Sequence, residues 1–429
     1  MKETTITVVG IGYVGLPLAC LAASKGYKVY GFDINERLIH TVNKRKAPFK
    51  DALVTKLLPK LTKKHGKFFL ATNDPTPIKD SEIVIVCVPT PVDKRHNPDF
   101  KPLIKATETI KANMRAGQLI VIESTINPGV CEEIVLPILQ EGGFKEGRDF
   151  YLAHAPERVN PGDPHWDVSN LARNVGALSP KGLKRAVQFY ESIVSAPINA
   201  MKSIKEAEAT KTIENAFRDI NIAFANEIAK SFDQLGIDVI DVIKGASSKF
   251  SFMPHWPGCG VGGHCIPVDP YYLIQKAESV GFSHDFLKLA RTINNGMPQY
   301  TVDLLKNKLN EVGLPLKSTP VGVLGLSYKA DIDDTRESPS YKIIEILKKS
   351  AATVMTFDPY IPDQSSEKTL EAILDKSAAI VVATNHKEFT RLKGKTLAAK
   401  GIKVVIDGKN CLDKKDIEKY NIIYKGIGR

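Results

Sequence analysis

Cys265 sits in a glycine-rich run. The segment reads Gly262-Gly263-His264-Cys265-Ile266-Pro267-Val268-Asp269, with Gly258 and Gly260 just ahead of it, and residues without a Cβ let a ligand approach the backbone. A cysteine thiolate adds to an aldehyde carbon, and the resulting adduct still carries a hydride that can leave. Such chemistry needs a hydride acceptor. Gly10-Ile11-Gly12-Tyr13-Val14-Gly15 follows the apolar strand Ile6 to Val9 and opens a helical segment, the context in which a dinucleotide pyrophosphate meets a helix N-terminus. The alternative is a tight turn that packs helix on sheet. Asp33 ends the next strand, where a carboxylate accepts hydrogen bonds from an adenosine ribose and repels a 2′-phosphate. NAD is therefore expected ahead of NADP, although Arg37 stands where an arginine could receive the extra phosphate.

Other polar residues fall at positions suited to the same site. Thr90, after Val88-Pro89, and Thr125, after Glu123-Ser124, lie at the carboxyl ends of two further strands, where ligands of doubly wound sheets bind. Their hydroxyls either touch a ligand or cap loops. Lys211 and Asn215 are one helical turn apart, opposite the stripe Ile213, Phe217 and Ile220. They form a solvated face, or a cation and an amide aimed at a developing oxyanion. Cys265 itself is open to three readings: nucleophile, buried structural thiol, or metal ligand with Cys259 and His264. The glycine loop favours the nucleophile, and the absence of four-ligand spacing speaks against metal. Asp269 follows closely enough to orient a water or carry a proton.

The elements that hold these residues follow from periodicity. Ile6–Val9, Lys28–Phe32, Ile83–Val88, Leu119–Glu123 and Phe150–Ala153 read as strands alternating with helical segments, which predicts a parallel doubly wound sheet. Near Ser203 the pattern changes to a long helix, with Ile213, Phe217, Ile220, Phe224, Ile228, Phe232 and Leu235 as its apolar stripe. A second long helix follows Leu287. From Pro320 the alternation resumes, with Val321–Leu324, Val354–Phe357, Ile380–Ala383 and Val404–Ile406 as strands. The fold class expected is α/β, two Rossmann-like domains joined by a central domain of long helices, divided at 1–200, 201–315 and 316–429. The two sheets echo each other: each first strand runs into glycine (Gly10, Gly325) and each second strand into aspartate (Asp33, Asp358). Surplus apolar surface on the central helices suggests a homodimer.

Bulk properties narrow the class. A chain of 429 residues exceeds what one core usually serves. The 59 basic against 48 acidic residues give a net charge of +11, but the lysines are scattered without an arginine-rich arm, so nucleic acid is not the expected partner. Cys20, Cys87, Cys131, Cys259, Cys265 and Cys411 show no paired spacing, which fits reduced thiols in a cytoplasmic protein. No segment reads as a signal peptide or membrane span.

Taken in order, the Gly10-Gly12-Gly15 fingerprint, Pro156-Glu157-Arg158, Lys211 with Asn215, Gly263-His264-Cys265 with Asp269, and Tyr328-Lys329 through Arg336 resemble the UDP-glucose/GDP-mannose dehydrogenase family over essentially the whole chain. The resemblance implies a four-electron oxidation of a UDP-sugar C6 alcohol to a carboxylate with two NAD⁺, through a Cys265 thiohemiacetal and thioester. It makes Lys211 the oxyanion cation, Asn215 and Asp269 the residues that hold water and move protons, and Glu157 an acid–base residue of thioester hydrolysis, with Thr125 beside it. Gly10 to Gly15, Asp33, Arg37, Thr90, Thr125 and Arg336 would meet the cofactor. Glu157, Arg158, Val159, Lys211, Asn215 and the glycines Gly258, Gly260 and Gly262 would line the substrate, together with Tyr328 and Lys329 of the last domain. Lys249 and Lys409 stand where the family has substrate arginines, Lys249 matching one supplied by a neighbouring subunit. His264 and Ile266 around the cysteine, and Pro161 where the glucose branch has a second glutamate, resemble the UDP-N-acetylhexosamine branch. UDP-N-acetylmannosamine or UDP-N-acetylglucosamine is thus expected ahead of UDP-glucose. Two other classes compete: a two-electron β-hydroxyacid dehydrogenase has no use for Cys265 or the residues after 315, and a nucleotide-sugar-binding regulator has none for Lys211 and Cys265.

Overall fold

The computed structural model describes residues 4–62, 68–93, 96–159, 165–350 and 352–429. The chain packs as two compact units, Met1–Glu214 with Tyr271–Phe282, and Asn215–Pro270 with Ser283–Arg429. Pro161, singled out above, lies outside the described residues.

In the first unit β1 (Thr5–Val9), β2 (Lys28–Phe32), β3 (Phe68–Thr72), β4 (Ile83–Val86), β5 (Gln118–Ile122), β6 (Phe150–His154), β7 (Arg173–Ala177) and β8 (Ile198–Ala200) form one sheet in the order β3-β2-β1-β4-β5-β6-β7-β8. All pairs are parallel except β6 with β7. The run Ile83-Val84-Ile85-Val86 is buried throughout, because a parallel strand with helices over both faces has no solvent side. Chain order reverses between β1 and β4, which opens a crevice beyond their carboxyl ends. Gly10, Asp33, Thr90 and Thr125 all follow strands of this sheet.

The second unit holds β9 (Pro320–Leu324), β10 (Thr353–Phe357), β11 (Ala379–Val382), β12 (Val404–Asp407) and β13 (Ile423–Gly426), all parallel, in the order β10-β9-β11-β12-β13. Two Rossmann-like sheets are therefore present, as the alternation predicted. The strands that periodicity missed are β3, β7, β8 and β13. Three of them are edge strands, and β7, Arg-Asn-Val-Gly-Ala, carries a charge and an amide into the interior.

The long helix Ile204–Leu235 corrects one expectation. Much of its apolar stripe does not face the core: Ile213 is 56% exposed, Phe217 42%, Phe224 54% and Leu235 66%, whereas Ile228 and Phe232 are half-buried against the core of the second unit. The buried face carries Ala207, Glu208, Thr212, Ala216, Asp219, Ala223, Asn226 and Ala229 instead. Small residues allow close helix approach, and the polar ones are paired apart from the buried Asp219 Oδ2. Within the second unit Asp219 accepts from Arg291 Nη1 at 2.5 Å and from Asn294 Nδ2 at 2.8 Å, and Asn226 donates to Asn294 at 2.9 Å, all on the helix Asp285–Glu311. Lys211 and Asn215 are half-buried beside this face rather than pointing away from the fold. Among the described residues no helix is long and apolar enough to cross a membrane.

Candidate active site

The glycine loop after β1 separates what the fold needs from what a ligand needs. Gly10 has φ +87°, and a Cβ there would fall 2.9 Å from the Cys87 carbonyl oxygen; one on Gly15 would fall 1.9 Å from the Gly10 carbonyl oxygen. These two glycines are required by the packing of the turn itself. A Cβ on Gly12 would meet no protein atom within 4 Å, so packing leaves its missing side chain unexplained. Close approach of a pyrophosphate would explain it. The helix Gly15–Ser24 begins at Val14 without a side-chain cap, leaving backbone N–H groups for an anion. Asp33 Oδ2 accepts from Ile11 N and Oδ1 from Asn35 N, both at 2.9 Å, which aims a half-exposed carboxylate at the loop. The residues present fit a dinucleotide. Tyr13 lays its ring against Phe49, with centroids 4.3 Å apart, and Arg37 is exposed on the helix Glu36–Asn43.

The loops after β4 and β5 brace one another. Thr90 Oγ1 donates to the Thr125 carbonyl at 2.6 Å, Ser124 Oγ donates to the Val88 carbonyl at 2.7 Å, and the Tyr272 hydroxyl donates to the Thr90 carbonyl. The Thr90 hydroxyl is engaged in loop closure here.

After β6 the chain turns through Glu157, a buried carboxylate. Its Oε1 accepts from Arg158 N and Val159 N, each at 2.6 Å, and its Oε2 from Arg173 Nη2 at 2.7 Å. Arg158 forms a two-pronged pair with Glu214, at 2.8 Å and 2.6 Å, and reaches the Ala172 carbonyl at 3.0 Å. His154, fully buried at the end of β6, has its imidazole pulled down to about 3, first by burial and then by the charge of Lys211. Lys211 thus has a neutral ring, not a second cation, for a neighbour.

In the second unit the glycine-rich run wraps a tyrosine. A Cβ on Gly262 would lie 2.6 Å from Tyr328 Cβ, and one on Gly263, with φ +90°, 2.8 Å from Tyr328 Cε2. The loop holds that ring so closely that only glycine fits. Burial, then the charges of Asp334 and Cys265, push the Tyr328 phenol up to about 12. Gly260, with φ +140°, abuts Pro339, and Gly258 donates to Asn226 Oδ1 at 2.9 Å with Lys409 Nζ near its Cα face.

Cys265 is half-exposed and heads a turn in which Asp269 N donates to its carbonyl at 2.8 Å. Asp269 is buried and accepts from Asn215 Nδ2 at 2.6 Å. The long helix and the cysteine loop thus meet through the amide and the acid chosen from sequence. The other five thiols all have pKa values raised, above all by burial, which suppresses the thiolate that would react. Arg336 grips Asp334, with Nε to Oδ1 at 3.0 Å, and its carbonyl accepts from Gly263 N at 3.0 Å. Lys329 lends its carbonyl to Ser327 Oγ at 3.0 Å, and Lys249 is exposed beyond the helix Val239–Ala246.

Sequence reasoning overlooked two groups. One is Arg173 with Glu123. The other is His386, buried with Asp358 beneath the Tyr328–Lys329 loop: its Nδ1 accepts from Asp331 N at 2.9 Å and its Nε2 lies 3.0 Å from Asp358 Oδ2. A histidine or arginine is legible as a site residue only beside a motif, and these two, Arg173 opening β7 and His386 in the loop after β11, have none.

Comparison with known proteins agrees with this layout. Family models for the UDP-glucose/GDP-mannose dehydrogenase family match residues 4–194 (NAD binding domain), 205–296 (central domain) and 322–414 (UDP binding domain). The chain is 37% identical to a UDP-N-acetyl-D-mannosamine dehydrogenase of Pyrococcus horikoshii, over 99% of each chain, and 34% identical to a UDP-N-acetyl-D-glucosamine 6-dehydrogenase of Pseudomonas aeruginosa, over 96% of this chain and 98% of the other. The solved UDP-D-ManNAc dehydrogenase from Pyrococcus horikoshii superposes with a TM-score of 0.93 at 36% identity, covering 99% of each chain. With all three family domains in order around the cysteine loop, the chain belongs to the UDP-glucose/GDP-mannose dehydrogenase family and is an oxidoreductase.

Proposed function

We propose that this chain oxidises the C6 hydroxymethyl of a UDP-N-acetylhexosamine, UDP-N-acetylmannosamine ahead of UDP-N-acetylglucosamine, to the carboxylate. The observation that carries the reading is the Cys265 loop: a half-exposed thiol flanked by His264 and Ile266, on a turn whose Asp269 is paired with Asn215. NAD, preferred over NADP because of Asp33, accepts a hydride from C6 in each of two oxidations when bound at the Gly10–Gly15 loop. Between them the Cys265 thiolate adds to the aldehyde carbon, and the carbonyl electron pair becomes an oxyanion that the Lys211 ammonium stabilises. Departure of the second hydride leaves a thioester. Water then adds to the thioester carbon, Glu157 takes its proton, the C–S bond breaks, and the sulfur leaves as thiolate. Asn215 and Asp269 hold the water, and through that water the C6 hydroxyl passes its proton to Asp269 as the first hydride departs. Thr90, Thr125 and Arg336 serve the cofactor; Arg158, Val159, Lys249, Tyr328, Lys329 and Lys409 serve the UDP-sugar.

The division into an NAD domain, a central helical domain and a UDP-sugar domain at about residues 200 and 315 belongs to the same reading. So do a cytoplasmic location and a homodimer that covers the exposed Phe217 and Phe224. NADH release measured with UDP-N-acetylmannosamine, UDP-N-acetylglucosamine and UDP-glucose tests the substrate: two equivalents per acetylated sugar are expected, and turnover of UDP-glucose alone would overturn it. Cys265→Ala should abolish acid formation while NAD binding, followed by calorimetry, persists. Full acid production by that variant would remove the covalent route.

A further inference from the structure

Two acids in the first unit share one buried cation. Arg173 on β7 is 2% exposed. Its Nη2 donates to Glu157 Oε2 at 2.7 Å and its Nη1 to Glu123 Oε2 at 3.2 Å. Tyr190 closes the far side, donating its hydroxyl to Glu123 Oε1 while the guanidinium lies 5.3 Å from its ring centroid. Burial alone works against the arginine charge, but Glu123 and Glu157 outweigh it and raise its pKa above the ordinary range. Cys87, also facing the acids, stays a neutral thiol, since burial and then Glu123 and Glu157 push it up.

The acceptor positions on Glu157 can be counted. A carboxylate offers about four. Oε1 fills two with Arg158 N and Val159 N, and Oε2 fills one with Arg173. Among the described residues no donor occupies the fourth, so it belongs to Oε2, the oxygen held by Arg173. A planar guanidinium fork can hold this oxygen and Glu123 at once, whereas an ammonium is a point charge.

We propose that Arg173 is the positioning residue of the hydrolytic step: braced on Glu123, it turns Glu157 so that Oε2 takes the proton of the attacking water. The inference rests on the reading of Glu157 as the acid–base residue. Removing the arginine alone would leave two buried carboxylates facing each other, so the test uses Arg173→Lys, the charge-balanced double variant Arg173→Met/Glu123→Gln, and Glu157→Gln, each judged folded by thermal melting.

Steady-state kinetics are measured with whichever of the three UDP-sugars turns over fastest, and intact mass reports the fraction of Cys265 carrying a sugar adduct. Glu157→Gln should lower kcat about a hundredfold and accumulate adduct. Arg173→Lys should lower kcat about tenfold through misplacement of that carboxylate, with KM within twofold and adduct again accumulating; the double variant should do the same. If Glu157→Gln accumulates adduct while both Arg173 variants keep wild-type kcat, or change KM alone, the inference falls and the acid–base reading stands. If Glu157→Gln neither slows turnover nor accumulates adduct, the acid–base reading falls, and the inference with it.

Discussion

The two sheets use the same turn for opposite ends. Gly10 and Gly325 both follow a first strand with positive φ, +87° and +97°, and a side chain on either would strike the strand-end loop beside it, at Cys87 and Thr384. The aspartate after the second strand then differs. Asp33 is half-exposed and accepts from two backbone N–H groups, Ile11 and Asn35. Asp358 is fully buried and accepts from Leu326 N, Ser327 N, Tyr360 N and His386 Nε2. Against about four acceptor positions, Asp358 accepts four bonds and Asp33 two among the described residues. One acid braces the Tyr328–Lys329 loop; the other is the one proposed to meet ribose hydroxyls.

The largest test of that contrast is stability. Asp358→Ala leaves four donors unsatisfied in the interior and should cost about 4 kcal/mol, read from denaturant unfolding of the whole chain, while Asp33→Ala should cost less than about 1 kcal/mol. Equal losses would break the comparison.

Acid titration comes next. Burial opposes the Asp358 charge, but the hydrogen bonds from His386, Ser327 N and Leu326 N hold it at about 2, below its ordinary 3.8. A depressed folded value means stability fully present above about pH 4 and lost as pH falls toward 2, amounting to about 2 kcal/mol. Asp358→Asn should flatten that part of the melting-temperature profile, and an unchanged profile would show that the carboxylate charge contributes nothing.

The reverse effect is expected at Asp33. Its alanine variant should raise KM for NAD about tenfold, or about 1.4 kcal/mol, and narrow the preference over NADP; no change in either would return Asp33 to a structural role. Gly12→Ala is the subtlest probe. It should leave the melting temperature within about a degree, because no protein atom stands in the way, yet weaken NAD binding measurably, whereas Gly10→Ala should destabilise the fold through its positive φ.

Legibility in the sequence follows how local each signal is. The buried runs Ile83–Val86 and Val404–Ile406, the glycine fingerprint and the Lys211–Asn215 spacing are local patterns, and all fall on the elements they predicted. β7 was missed because an arginine in a strand reads as a surface residue. Only Glu123 and Glu157, brought in from β5 and the loop after β6, make its burial tolerable. The long helix misled for the opposite reason: its aromatic residues make the louder stripe, yet its alanines and paired polar residues are the ones buried.

What the amino-acid order settled by itself is the alternation of strands and helices, the dinucleotide turn, the cysteine loop and the family to which they belong, since each is written in adjacent residues. The tertiary structure alone decided how the polar groups are paired: that among the described residues Asp33 accepts two bonds and Asp358 four, that Asn215 meets Asp269, and that Arg173 stands behind Glu157. Hydrogen-bond satisfaction depends on neighbours brought together from distant strands, and a one-dimensional pattern carries no record of who those neighbours are.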